Sequence, residues 1–138
     1  MTIDPERLQA IRANAETTMR TLTQARGAPV RADADGVAWV EGFIERQRVR
    51  HGLDVEPLVS VLGAYLGEAV LAAGAGAWDE TEDGALGVRF PNGDWCFPFN
   101  KVRKQFESGC EAGEGVSGFH AVAVDLAAGR GLRSGRAG

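Results

Sequence analysis

A short segment near residue 90 constrains the fold of this chain more than any other part. Large apolar side chains alternate with smaller or polar ones over residues 86–90 and again over residues 95–99. Between them lie Asn92 and Gly93, and Asn-Gly is the strongest short-range signal for a β-hairpin because both residues tolerate the positive φ of a type I′ turn. A two-residue loop predicts three cross-strand pairs: Phe90 with Trp95, Val88 with Phe97, and Leu86 with Phe99. This register predicts that all six large side chains lie on one face of a sheet.

Helical periodicity precedes and follows the hairpin. Apolar residues recur at spacings of three and four, and Asp4 with Pro5 is typical of an N-cap followed by a first-turn proline. Asp35 and Asp54 are the predicted N-caps of the next two helices, and Asn100 of the fourth. The predicted helices cover residues 4–26, 35–50, 54–73, 101–107 and 117–128.

The order of these elements predicts an α+β fold. N-terminal helices are expected to pack on a small three-stranded antiparallel sheet, whose first strand is residues 77–79, and one or two short helices follow it. The third helix is apolar over most of its circumference, and Gly63 and Gly67 within it predict close approach of a neighbouring element. We expect one domain over residues 1–128. Residues 129–138, mostly glycine and arginine, are expected to form a disordered tail.

Composition excludes several classes of function. The chain has 15 Lys and Arg against 19 Asp and Glu, so its net charge of −4 argues against general nucleic-acid binding. The longest apolar stretch, residues 55–77, is interrupted by glutamate and glycines, and the N-terminus lacks the apolar segment of a signal peptide. The expectation is a cytoplasmic protein that does not enter a membrane. No spacing typical of a zinc, dinucleotide or nucleotide site is present, so neither a metal nor a cofactor is predicted.

Few residues are candidates for chemistry. A nucleophilic pair could combine Cys96 or Cys110 with His120, although an ordinary free thiol is the more common role of such a cysteine. Glu68 lies within the most apolar helix, where a carboxylate must be exposed, paired or protonated. In one interpretation Glu68 lies on the exposed strip of the helix, or is neutralised by Arg89 or by one of Lys101, Arg103 and Lys104. In the other, Glu68 is an acid or base and Arg89 or Lys104 holds an anionic substrate.

Two charged clusters remain. Arg46, Arg48 and Arg50 end the second helix, where cations favour the helix dipole, and they could also bind a phosphate or carboxylate. Four acids cluster after the first predicted strand: Asp79, Glu80, Glu82 and Asp83. Such a cluster is usually a solvated turn, but it is also what a protein that docks on a basic surface displays.

Several of these segments resemble a family of small uncharacterised bacterial proteins. They are YLGE at residues 65–68, Trp78, the FPNG hairpin at residues 90–93, and PFNKV at residues 98–102; the resemblance extends over residues 37–109. Related YLGE domains resemble proteins found near bacterial toxin systems, in which small acidic α+β proteins act as immunity factors. The resemblance implies this fold class and identifies no catalytic residue.

These observations favour a non-enzymatic protein-binding domain, either an immunity-type protein or an adaptor. Its partner would be a protein, such as a toxin or a secreted effector, whose basic surface is covered by the acids of residues 79–83. A small enzyme or ligand-binding protein that uses Glu68 is the alternative. Homodimerisation through the hairpin edge, or through the helix face that carries Gly63 and Gly67, also remains open.

Overall fold

The described part of the chain folds into five α-helices and a three-stranded antiparallel sheet that lies in the middle of the sequence. A computed structural model describes residues 3–74 and 76–128. Its elements are α1 (Pro5–Arg26), α2 (Ala34–Arg48), α3 (Glu56–Ala72), β1 (Ala77–Glu80), β2 (Leu86–Arg89), β3 (Trp95–Cys96), α4 (Pro98–Ser108), a 3₁₀ turn (Cys110–Ala112) and α5 (Val116–Ala127). The strands are ordered β1-β2-β3, so the α+β class is confirmed. No helix in the described ranges is long and apolar enough to cross a bilayer.

The ends of the first three helices test the predicted caps. Asp4 caps α1 as expected, because its Oδ1 accepts from the Glu6 N–H at 3.3 Å. Asp33, not Asp35, is the N-cap of α2: its backbone is extended and its Oδ1 accepts from the Gly36 N–H at 2.8 Å. Asp35 lies two residues further on, in the first turn of the helix, and forms an ion pair with Arg26 at 3.0 Å. The prediction for α2 was therefore wrong by two residues.

The third predicted cap was also displaced. Helix α3 begins at Glu56 with Val55 as its N-cap, so Asp54 is not the cap residue, although its Oδ1 accepts from the Glu56 N–H at 3.3 Å.

The hairpin is present, but its predicted register is wrong by one residue. The observed pairs are Val88 with Cys96 and Arg89 with Trp95. The Phe90 N–H donates to the Asp94 carbonyl at 2.8 Å, and the Gly93 N–H donates to the Phe90 carbonyl at 2.9 Å, so the loop contains the three residues 91–93. A two-residue loop would need an N–H from Pro91 to close it, and proline has none.

The shifted register moves two aromatic rings to the other face of the sheet. Val88, Phe90 and Cys96 are buried on the inner face. Trp95 and Phe97 lie on the outer face, half-buried, with parallel rings whose centroids are 5.9 Å apart. The prediction that all six large side chains share the inner face is therefore wrong. Phe99, which was expected on the third strand, lies in the first turn of α4.

Helix α3 is the centre of the domain, and its glycines are explained by their neighbours. A Cβ at Gly63 would collide with the ring of Phe99, and one at Gly67 would collide with the indole of Trp78. The predicted close approach is confirmed, and the contacting groups are aromatic rings. Since these rings cover the glycine face within the chain, that face is not available for homodimerisation.

Buried side chains form two clusters on either side of α3. One joins α2, α3, α4 and α5, and the fully buried Tyr65 lies within it, donating from its hydroxyl to the Arg31 carbonyl at 2.5 Å. The other lies beneath the sheet and includes residues of α1, α3 and α5. The indole of Trp78 belongs to this second cluster and attaches β1 to α3.

The last two helices differ from the predictions mainly at their starts. Helix α4 begins at Pro98, so Asn100 lies inside the helix and is not its cap, while Val102 and Phe106 are buried as expected. The helix predicted over residues 117–128 is confirmed as α5. Its Val122 is 44% exposed. The predicted tail, residues 129–138, lies outside the described residues.

Candidate functional site

The four predicted acids lie on β1 and on the turn between β1 and β2, which we call the acidic turn (Asp79, Glu80, Glu82 and Asp83). Asp79 pairs with Arg89 across the strands at 3.7 Å, and Glu80 forms an ion pair with Arg7 of α1. Glu82 and Asp83 are exposed. Half of the predicted cluster is therefore neutralised within the chain, and the other half faces solvent.

Thr81 fixes the conformation of this turn. Its hydroxyl donates to Asp83 and accepts from the Ala85 N–H at 3.0 Å. Its backbone N–H donates to the Ala85 carbonyl at 2.9 Å, and the turn is completed by Gly84 with φ +87°. The hydrogen bonds from Thr81 and from the Ala85 backbone lower the pKa of Asp83, so its carboxylate stays charged well below neutral pH. The turn presents two fixed negative charges.

The alternative site residues do not form one cluster. The Glu68 carboxylate accepts from the Trp78 indole N–H at 2.8 Å and lies 3.9 Å from the Arg12 guanidinium. Arg89 pairs with Asp79, and Lys104 lies on the exposed side of α4. Within the described residues, the charged partner of Glu68 is thus Arg12 and not either predicted cation. The side chain of Glu68 is only 23% exposed.

The cysteines and the buried histidine do not have the environment of a nucleophilic pair. Burial raises the pKa of Cys96 to about 12. Burial and the carboxylates of Glu45 and Glu41 raise the pKa of Cys110 as well. A catalytic thiol needs the opposite shift. The Nε2 atom of His120 lies 3.4 Å from the Ala69 carbonyl.

We expect Cys96 to react with a thiol-specific disulfide reagent at least a hundredfold more slowly in the folded protein than in 6 M guanidinium. The pKa near 12 leaves only a small fraction of thiolate at pH 8, and the side chain is buried. The measurement follows release of the chromophore from the Cys110→Ser variant, which retains Cys96 alone. A folded-state rate within threefold of the unfolded one would contradict this placement.

The three arginines at the C-terminal end of α2, of which Arg50 lies just beyond the helix, have separate roles. Arg46 lies over the Trp39 ring at 5.4 Å, and Arg50 donates to the Gln47 side chain at 2.8 Å. Arg48 donates to the Phe106 and Glu107 carbonyls at 3.1 and 3.2 Å, and so caps the C-terminal end of α4. The three arginines were predicted to be solvated cations that favour the dipole of α2. Arg48 differs from this prediction because it binds the carbonyls of α4.

A buried polar network that the sequence did not indicate joins α2, α4 and α5. Gln105 is fully buried: its Nε2 donates to the Glu41 carbonyl at 3.0 Å and to the Glu45 carboxylate at 2.8 Å, while its Oε1 accepts from the Val116 N–H at 3.0 Å. Burial opposes the charge on Glu45, but hydrogen bonds from Gln105 and the Cys110 N–H lower its pKa overall. The Glu41 carboxylate accepts from the Ser117 N–H at 3.0 Å. These groups position the start of α5.

A groove of about 750 Å³ lies between the hairpin, α4 and α5. We call it the α4–α5 groove, and its lining includes Trp95, Phe97, Lys104, Gly118 and Val122. Sequence reasoning missed it because the predicted register placed both aromatic rings in the core. A second groove, of about 670 Å³, lies between α1, α3 and α4.

The charged side chains of the second groove already have partners. Arg7 pairs with Glu80, and Arg103 pairs with Glu56 at 2.7 Å. No three His, Cys, Asp or Glu side chains in the described part of the chain could hold a metal ion.

The fold and these surfaces define a small α+β domain with an acidic turn and an apolar groove. A scan against protein-family models, a search of curated proteins and a search of solved structures each give no match.

Proposed function

We propose that this protein is a non-enzymatic protein-binding domain of the immunity or adaptor type. It acts in the cytoplasm by covering a basic surface of a toxin or effector protein with its acidic turn. The observation that carries the proposal is the pair of exposed carboxylates, Glu82 and Asp83, on a turn that Thr81 holds in one conformation.

The anchoring of the turn supports this function in physical terms. An ordered surface loses little conformational entropy when it binds, and fixed charges of one sign speed the encounter with an oppositely charged partner. The ion pair between Arg7 and Glu80 joins α1 to the base of the turn, so the N-terminal helices act as the support of the sheet in this proposal.

We expect the Glu82→Lys variant to bind its partner about tenfold more weakly at low salt, because a charge at the rim of an interface acts mainly on the association rate. The partner is first identified by affinity purification with the intact domain from its native host. Association is then measured by surface plasmon resonance at several ionic strengths. The difference between variant and wild type should shrink at high salt, since screening removes it.

Glu111→Lys is the matched control, because it makes the same change of charge at an exposed residue of the 3₁₀ turn. The control should keep the wild-type association rate to within twofold. Equal affinities of Glu82→Lys and wild type at low salt would remove the acidic turn from the mechanism.

A small enzyme or ligand-binding protein that acts on an anionic substrate is the second candidate function. The observation in its favour is the position of Lys104 on the wall of a groove whose volume is in the range of small-molecule sites. In this candidate Glu68, Arg89 and Lys104 would have to act on one ligand. The ion pairs of Glu68 with Arg12 and of Arg89 with Asp79 favour the protein-binding proposal over it.

A further inference from the structure

The α4–α5 groove has an apolar wall that nothing in the described chain covers. The stacked rings of Trp95 and Phe97 form one side of it, and Phe119 and Val122 of α5 line the other. Val122 is one of two large hydrophobic side chains among the described residues that are strongly exposed. Apolar surface of this kind, gathered in a concave site, is typical of a binding site.

Gly118 keeps the groove open. It lies in the first turn of α5, and a Cβ built on it would meet no atom within 4 Å. Its φ is not in the left-handed region, so neither backbone conformation nor packing requires a glycine here. A glycine in a helix costs about 0.5–1 kcal/mol relative to alanine. At Gly63 and Gly67 that cost is offset by ring packing, whereas at Gly118 the structure shows only open space at the groove wall.

The charge on the groove wall indicates the chemistry of the occupant. Two lysines of α4 line the groove, and Lys101 is bound by Glu114 at 2.6 Å. Asp94 also adds a carboxylate to the groove lining. Lys104 is exposed and forms no hydrogen bond or ion pair with a described residue, although it adds to the effect of Lys101 in lowering the pKa of Glu114. Its ammonium group therefore stands beside the apolar wall and can receive a carboxylate.

We propose that the α4–α5 groove binds a peptide segment of a partner protein, which places an aliphatic or aromatic side chain between Trp95 and Val122 and a carboxylate on Lys104. The inference rests on the proposed protein-binding function but not on the acidic turn. It gives the domain a second surface, an apolar groove with Lys104 at its wall, for an acidic-apolar segment.

The test is a selection from a phage-displayed library of random dodecapeptides on the intact protein, followed by fluorescence-anisotropy titration of the enriched peptides. We expect these peptides to carry a large apolar residue next to Asp or Glu. Gly118→Leu fills the groove and should weaken their binding by at least about tenfold. Lys104→Glu should weaken it by about tenfold.

Matched controls separate the groove from other effects. Ala121→Leu adds the same side chain to an exposed position of α5 outside the groove, and Arg20→Glu makes the same charge reversal on α1. Both should bind the peptides as wild type does, and so should Glu82→Lys, which separates this test from that of the acidic turn. Thermal unfolding checks that Gly118→Leu is folded; if it is not, Val122→Gln replaces the apolar side chain at the same wall by a polar one without adding a charge.

The proposal is overturned if no peptide is enriched, if enriched peptides bind Gly118→Leu or Val122→Gln as tightly as wild type, or if they lack acidic residues and bind Lys104→Glu as tightly as wild type.

Discussion

The Trp78→Ala variant is expected to lower the free energy of unfolding by about 3–5 kcal/mol, the usual cost of removing a buried indole. Trp78 is 4% exposed, and its six-membered ring fills the space left by Gly67. Its loss opens a cavity between β1 and α3. It also removes the indole N–H that donates to the Glu68 carboxylate at 2.8 Å. Urea unfolding followed by circular dichroism gives the difference.

Trp78→Phe separates the two contributions. It retains most of the ring and removes the indole N–H, so it should cost about 1.5–3 kcal/mol, the range for a hydrogen bond to a charged group. A cost below 1 kcal/mol for Trp78→Ala would mean that the indole is not packed on Gly67. Equal costs for the two variants would mean that the hydrogen bond dominates and that the cavity is unimportant.

The Gln105→Leu variant is expected to lower the free energy of unfolding by about 2–5 kcal/mol. The leucine is similar in size but leaves the Val116 N–H without its acceptor and the Glu45 carboxylate without one of its donors, and each such loss costs about 1–3 kcal/mol. The same urea titration measures the change. A loss smaller than 0.5 kcal/mol would show that water replaces Gln105 in this network.

The Gln105→Glu variant tests the contact with Glu45 through the pH dependence of the free energy of unfolding. At neutral pH it places a carboxylate beside Glu45, and the repulsion raises the folded-state pKa of the new pair above the unfolded value. Its stability relative to wild type should therefore increase as the pH falls from 7 to 4.5. In the wild type the sign is opposite, because the lowered pKa of Glu45 stabilises the fold at neutral pH and this contribution is lost as the pH falls through that pKa. A difference between the two proteins that does not change with pH would contradict the contact with Glu45.

The sequence predicted the secondary-structure elements well, but it predicted the pairing of the strands and the packing of their side chains less well. Periodicity and turn residues identified all five helices, and the Asn-Gly signal located the hairpin. The signal did not specify the loop length, because Pro91 lacks the N–H that a two-residue loop requires. That one residue moved Trp95 and Phe97 from the core to the outer face.

Of the candidate surfaces, only the acidic turn could be recognised from the sequence, because the others are formed by residues that are distant in the chain. The acidic turn is visible as a local cluster of charges, but its pairing with Arg7 spans 73 residues and no local pattern reports it. Gln105 is an ordinary polar residue of an amphipathic helix until α2 and α5 are placed around it. The groove could not be predicted while both of its aromatic rings were assigned to the interior.

The polar side of α2 has a consequence for how this chain can evolve. Glu41 and Arg48 bind the start of α5 and the end of α4, and each faces a glycine: a Cβ at Gly115 would collide with Glu41, and one at Gly109 would lie 3.0 Å from Arg48. A substitution at Glu41 therefore removes a packing reason for glycine at position 115, whereas Gly109, with φ +85°, favours glycine whatever residue replaces Arg48. In descendants of this chain, the residues at positions 41 and 115 should therefore change together.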